Sequence, residues 1–177
     1  MANNSWNLNI SQDADKSEVF QSVEAFLNEL GLGIASKDME RPWGGFFVIQ
    51  EDQIKRFKSI FFDDVFLDEH QMQQKLSPKI LLVGPDKRLS WQYHHRRAEI
   101  WKLIAGNAGI VVSPDDRLND LKKLELGKVI RLSQGERHRL VGLTGWGIVA
   151  EIWMHTDPDH PSDESDIVRV EDDFQRT

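Results

Sequence analysis

The chain has 177 residues, 40% hydrophobic and 29% charged, the balance of a globular protein with room for one real core. A net charge of −7 argues against nonspecific nucleic-acid binding, and no apolar run approaches a membrane span. Cysteine is absent, which excludes disulfides and thiolate chemistry and fits a cytoplasmic setting; Met1 to Trp6 carry no basic or apolar run, so no signal peptide is expected.

The first predicted element is an amphipathic helix over about residues 16–30. Asp15 followed by Glu18 can form a capping box, and Val19, Val23, Phe26, Leu27 and Leu30 repeat at helical spacing. Gly31 and Gly33 offer the stop. Its apolar stripe needs cover, either from the rest of the chain or from a second copy in a homodimer. From Gly44 onward the pattern turns to β. The β-rich runs are 46–49, 57–62, 80–83, 89–94, 99–104, 109–112, 128–132 and 147–153, separated by Gly, Pro and Asp clusters. So many short strands predict an all-β sandwich or barrel. Residues 115–126 are ambiguous, because Leu118, Leu121 and Leu124 space like a helix in a short window. The acidic tail, 157–173, with Pro158, Pro161 and Ser162, is expected to pack as an irregular strap.

The chemistry concentrates in Gln92-Tyr93-His94-His95-Arg96-Arg97-Ala98-Glu99 and in Gly135-Glu136-Arg137-His138. Alternate residues of a strand face the same side, so Gln92 and His94 share one space while His95 points away. Glu99 can join them from the next strand, and His138 from a distant one. Two imidazoles, a carboxylate and an amide oxygen suit a first-row divalent ion better than calcium: zinc first, then manganese, iron, cobalt or nickel. Arg96, Arg97, Arg137 and Arg139 flank these positions and are candidate phosphate binders in an acidic chain. Glu151 interrupts the apolar strand Ile148-Val149-Ala150-Glu151-Ile152-Trp153; facing a pocket, it would be a candidate proton-transfer group.

The run Leu89-Ser90-Trp91-Gln92-Tyr93-His94-His95-Arg96-Arg97-Ala98-Glu99-Ile100-Trp101 resembles the signature of the type II mannose-6-phosphate isomerase cupin domain. The likeness extends to Arg41-Pro42-Trp43-Gly44, to Gly135-Glu136-Arg137-His138-Arg139-Leu140 and to Asp166-Ile167-Val168-Arg169-Val170-Glu171-Asp172, four motifs in the expected order. Departures fall at Asp86, where Gly is usual, at Arg96 and Ile100, where His is usual, and at Ser133 and Gly142; residues 63–78 look like an insertion. The resemblance implies a cupin, a double-stranded β-helix or jelly-roll barrel, over residues 41–177 with its C-terminal strap. Residues 1–40 then form an N-terminal helical extension. It implies Gln92, His94, Glu99 and His138 as metal ligands. It aligns Lys58 with a lysine-bearing strand, making Lys58 a second proton-transfer candidate beside Glu151. The activity it implies is metal-dependent aldose–ketose isomerisation of a sugar phosphate. The alternatives are a non-catalytic sugar-binding cupin and a metal-dependent cupin of another reaction type, such as an oxygenase.

Overall fold

A computed structural model describes residues 7–176. The hexapeptide read above for a signal lies outside that range. The first helix, α1 (Lys16–Glu29), starts at Asp15, whose carboxylate caps the Glu18 amide while the Glu18 side chain reaches back to the Asp15 amide. Val19, Phe20, Val23, Phe26 and Leu27 are buried in one cluster with Phe47, Ile80 and Ile148 of the strands. Each such side chain stabilises the docking by roughly 1.5–3 kcal/mol. The stripe that called for cover is therefore covered by this chain's own barrel. Among the described residues no helix is long and apolar enough to cross a membrane.

Nine strands follow: β1 (Ile34–Asp38), β2 (Gly44–Ile49), β3 (Lys79–Val83), β4 (Trp91–Tyr93), β5 (Arg97–Ser113), β6 (Lys122–Lys123), β7 (Val129–Leu132), β8 (Arg137–His155) and β9 (Val168–Glu171). They pair antiparallel in the order β1-β2-β3-β8-β4-β9, with β5 joined to β6, β7 and β8. The all-β class and the N-terminal helix match the sequence reading.

The structure corrects some local expectations and resolves others. Residues 57–62 belong to a helix, α2 (Ile54–Phe61), because Ile54, Phe57 and Phe61 recur at helical spacing and all three are buried. Lys58 therefore stands on a helix, and its ammonium donates to the Phe62 carbonyl. A short helix, α3 (Glu69–Gln73), lies in the region read as an insertion. The runs 99–104 and 109–112 are one strand, β5, which pairs along nearly all of β8 with register shifts near Leu103 and Gly106. Gly106 takes φ +71°, and a Cβ there would lie 1.9 Å from the Trp146 carbonyl oxygen. Only glycine allows the two strands to bend so closely. Within 115–126 the ordered element is β6 rather than a helix, and the strap ends in β9.

Side-chain alternation divides the interior in two. On β3, Ile80 and Leu82 face the helices, while Leu81 and Val83 face into the barrel. On β5, Ile100 and Ile104 face the helices, while Trp101 and Leu103 face inward. Ile100, one of the departures from the family pattern, is thus a core residue on the helix side. Asp86, another, holds φ +57°, the left-handed conformation for which glycine is usual and Asp is tolerated. Gly142 is a third: a Cβ there would stand 1.9 Å from the Gly84 carbonyl oxygen.

Candidate metal centre and the cavity beside it

β4, β5 and β8 bring three side chains to one point inside the barrel. His94 follows β4, Glu99 lies near the start of β5, and His138 near the start of β8. Ring nitrogens of both histidines and carboxylate oxygens of Glu99 lie within 4.8 Å of one another, all buried. His94 Nε2 is 3.1 Å from Glu99 Oε1, and His138 Nε2 is 3.4 Å from Glu99 Oε2. The far nitrogen of each ring faces a backbone carbonyl, His94 Nδ1 at 2.6 Å from Asp166 O and His138 Nδ1 at 3.0 Å from Glu136 O. A carbonyl only accepts, so each Nδ1 carries a proton. In the neutral rings both Nε2 lone pairs then point at Glu99. Lone pairs facing a carboxylate call for a cation between them. His138 Nε2 has no hydrogen-bond partner, an orphaned buried atom of the kind an ion satisfies.

Protons on the rings can stand in for that cation. Burial opposes the charge on Glu99, but the charges of His94 and His138 outweigh it and hold that carboxyl well below the usual range. Burial likewise opposes the imidazolium of His138, yet Glu99 outweighs it and raises its pKa. A first-row divalent ion fits this donor set. Arg97 already shares it. Its guanidinium donates to Glu99 Oε1 at 2.8 Å and lies 3.3 Å from His94 Nε2, so an ion and Arg97 compete for the same lone pairs.

Gln92 is opposite His138 across the β4–β8 ladder, and its amide oxygen accepts from Ser90 Oγ. It therefore shares a face with His138, next to the triad. A cavity of about 130 Å³ opens next to the triad, lined by Gln92, Glu99, Arg97, Trp101, Glu151 and Trp153 among others. Glu151 is buried, with Trp101 Nε1 donating to Oε2 at 2.9 Å and Trp153 Nε1 to Oε1 at 3.1 Å. Trp101 Nε1 also lies 3.2 Å from Glu99 Oε2, so one indole bridges the two carboxylates. Burial, and then the charge of Glu99, push the Glu151 pKa up to about 7.

The other sequence candidates are spread out. Arg97 is buried over the Trp153 ring, and its donors are committed to Glu99, Ser162 and the Asp163 carbonyl. Arg96 reaches outward to the Pro161 carbonyl and Asp163. Arg137 pairs with Asp116 and covers Tyr93. Arg139, one residue past His138, points the opposite way and is buried against Glu171. None of Arg96, Arg137 and Arg139 lines the cavity, and neither does Lys58. His95 is exposed; its amide donates to Asp166, its carbonyl accepts from Gln134 and its ring packs edge-on against Tyr93.

A strand lysine does line the cavity, Lys79 on β3. It is opposite Glu151 in register, buried, 4.4 Å from the Trp153 ring centroid and paired with Glu164. A lysine opening the buried run Lys79-Ile80-Leu81-Leu82-Val83 was the available signal. Arg41, Arg169 and Arg176 line the cavity as well, unforeseen from sequence. Arg169 is opposite Gln92 on the β9–β4 ladder. Burial first, then the charges of Arg176 and Arg41, lower its pKa while Asp172 opposes, which puts the three guanidinium groups within each other's field.

Residues 66–172, well over half of the chain, match the family described as mannose-6-phosphate isomerase C-terminal. Three solved structures share the fold. Capsular polysaccharide assembling protein CapF from Staphylococcus aureus is 12% identical over 86% of this chain and 40% of its own, with a TM-score of 0.50. Vicilin from tomato, Solanum lycopersicum, is 17% identical over 78% and 35%, with a TM-score of 0.51. Oxalate decarboxylase is 14% identical over 76% and 30%, with a TM-score of 0.52. At these identities the likeness shows the fold alone, a cupin barrel, and the chain spans less than half the length of each. No curated protein sequence matches it.

Proposed function

The chain belongs to the mannose-6-phosphate isomerase C-terminal family, and from that membership we propose a metal-dependent sugar-phosphate isomerase that interconverts an aldose and a ketose, as between mannose 6-phosphate and fructose 6-phosphate. The observation that carries the proposal is Glu151: a buried carboxyl with a pKa of about 7, bridged through one indole to a triad suited to a divalent ion. His94, Glu99 and His138 would hold the ion, zinc first among the first-row metals, with Gln92 beside them. When bound, such an ion supplies Lewis-acid polarisation of the sugar carbonyl.

The rest falls to side chains. Isomerisation moves a proton between adjacent carbons, so one group must take it from the first carbon and return it to the second. A buried carboxyl whose pKa is raised above the ordinary carboxylate range is suited to both steps. Trp101 and Trp153 fix the two Glu151 oxygens, and the ammonium of Lys79, whose charge acts on Glu151, limits the cost of its ionised form.

Turnover of hexose phosphates by ion-loaded protein tests this. Glu151→Gln should cut turnover by about 10²–10⁴-fold while leaving ion content intact. Wild-type turnover in that variant removes Glu151 from the chemistry. A second reading has its own observation: two histidines and one carboxylate, with the Gln92 amide turned to Ser90, are also the set used by non-haem iron oxygenases. Oxygen uptake by iron-loaded protein, without sugar-phosphate turnover, would favour it. A loaded protein that binds sugars and turns nothing over would be the non-catalytic cupin.

A further inference from the structure

We propose that Arg41, Arg169 and Arg176 form an anion subsite at the end of the cavity away from the imidazoles, and that it takes the phosphate group of the substrate. The proposal rests on the sugar-phosphate reading above, and replaces Arg96, Arg97, Arg137 and Arg139 as the phosphate contacts.

The first argument is charge. Arg41, Lys79, Arg97, Arg169 and Arg176 line the cavity against Glu99, Glu151 and Glu164. In a chain of net charge −7 this is a local reversal of sign. Lys79 and Arg97 are committed to Glu164 and Glu99. Arg41 and Arg176 pair with Asp38 and Asp172, which stand outside the lining, so among the lining groups the excess lies in the three arginines, brought together from the stretch before β2, from β9 and from the C-terminal segment.

The second argument is hydrogen-bond chemistry. The indole N–H of Trp43, a wall of the same cavity, is buried without an acceptor. Three guanidinium groups and this indole bring donors to one end of the cavity, and the indole is held there with no acceptor of its own. A phosphate carries only acceptors at neutral pH apart from one fractional proton, and planar guanidinium groups match its oxygens in pairs. The partners that now hold Arg41 and Arg176 are acids close in sequence, Asp38 and Asp172.

The third argument is position. Arg169 is opposite Gln92, and Gln92 is opposite His138, so the three form one row across β9, β4 and β8. Directly opposite residues share a face, and adjacent strands lie about 4.8 Å apart, which sets the Arg169 backbone about 10 Å from that of His138. A substrate spanning that row has its carbonyl end at the triad and its anionic group at the other end. That is the layout of a sugar isomerised at its first two carbons and phosphorylated at its last.

Inorganic phosphate is the probe, measured by titration calorimetry on ion-loaded protein at low ionic strength. Arg169→Gln and Arg41→Gln should each weaken phosphate binding by about 10-fold or more, the usual loss for one charge-assisted contact. Arg117→Gln, an exposed change far from the cavity, should leave it unaltered. In steady state the same two variants should raise KM for a hexose phosphate and leave the unphosphorylated hexose unaffected. If Arg169→Gln does not fold by circular dichroism, Arg41→Gln, at the partly exposed rim, carries the test alone. Phosphate binding that is absent from the wild type up to about 10 mM, or that survives both substitutions, overturns the subsite. If the variants lose phosphate but the wild type turns over no sugar phosphate, the subsite stands and the isomerase reading falls. If the wild type turns over sugar phosphate and the substitutions leave phosphate affinity unchanged, the isomerase reading stands and the subsite falls.

Discussion

At the imidazole end of the cavity, the side chains of His94, Glu99 and His138 are 2–3% exposed, and backbone carbonyls, Trp101 and Arg97 fix them from behind. At the guanidinium end, the side chains of Arg41 and Arg176 are 39% and 21% exposed, each tied to an acid three or four residues away. Exposed local ion pairs contribute about 0–1 kcal/mol, so Arg41 can be redirected at little cost, whereas Arg176 is held by both oxygens of a buried Asp172. Rearranging the buried end costs several times more. The difference teaches a division of labour: a rigid corner suited to a resident ion, and an adjustable rim suited to a ligand that arrives and leaves.

The comparison breaks most visibly at Arg97, the one cation of the rigid end. In the ion-free protein it compensates Glu99 and anchors residues 162–166. Arg97→Gln leaves a buried carboxylate with only the histidines, and should cost about 3–5 kcal/mol in ion-free stability. An added divalent ion then meets no competitor for His94 Nε2 and Glu99 Oε1. The melting temperatures of the loaded and ion-free variant should therefore differ by more than those of the wild type. An equal difference would mean that Arg97 and the ion do not share the triad.

The next effect is at His138. Substitutions behind metal ligands cost about 10–100-fold in affinity, so His138→Ala, which removes a ligand itself, should lose at least about 10²-fold. Elemental analysis after dialysis reads this directly. The helix-side core of Phe, Ile, Leu and Val is independent of the ion, so the circular dichroism spectrum should not change. Full retention of the ion would move the centre elsewhere.

The two ends also differ in how far they could be read from sequence. Gln92, His94 and Glu99 lie within eight residues; strand alternation gives the first two a common face, Glu99 joins from the next strand, and His138 is supplied by the second motif. The same alternation explains why Arg139 is buried on the far side against β9. Arg41, Arg169 and Arg176 come from segments that only the closed barrel brings together, so no local spacing connects them. Two other features are legible in hindsight. The aromatic run at 57–62 suggests a strand, although Ile54, Phe57 and Phe61 keep a helical period. Reading it as a strand puts the cavity lysine at 58 instead of 79. β5 looks divided because Gly106 resembles a turn residue, whereas it is a bend in a continuous strand.

The smallest expected effect concerns the strap that joins the two ends. The Asp166 carboxylate accepts from the His95 amide at 2.9 Å, the Arg96 amide at 3.0 Å and Ser162 Oγ at 2.7 Å, while its carbonyl holds His94 Nδ1. An amide at this position would turn an N–H toward one of those donors, so Asp166→Asn should cost about 1.5–3 kcal/mol. Burial tends to raise the Asp166 pKa, but Ser162 and the two amides outweigh it and lower the value in the folded protein. A carboxyl depressed by folding contributes its stability in full above its unfolded pKa, near 4, and loses it as pH falls through the folded value. The wild type should therefore exceed Asp166→Asn by the whole amount at neutral pH and by progressively less below about pH 4. Urea midpoints for both proteins at pH 7 and pH 3 measure that convergence. A gap that is the same at both values would mean that the carboxylate charge does not hold the strap, and that the His94 tautomer is set by the backbone alone.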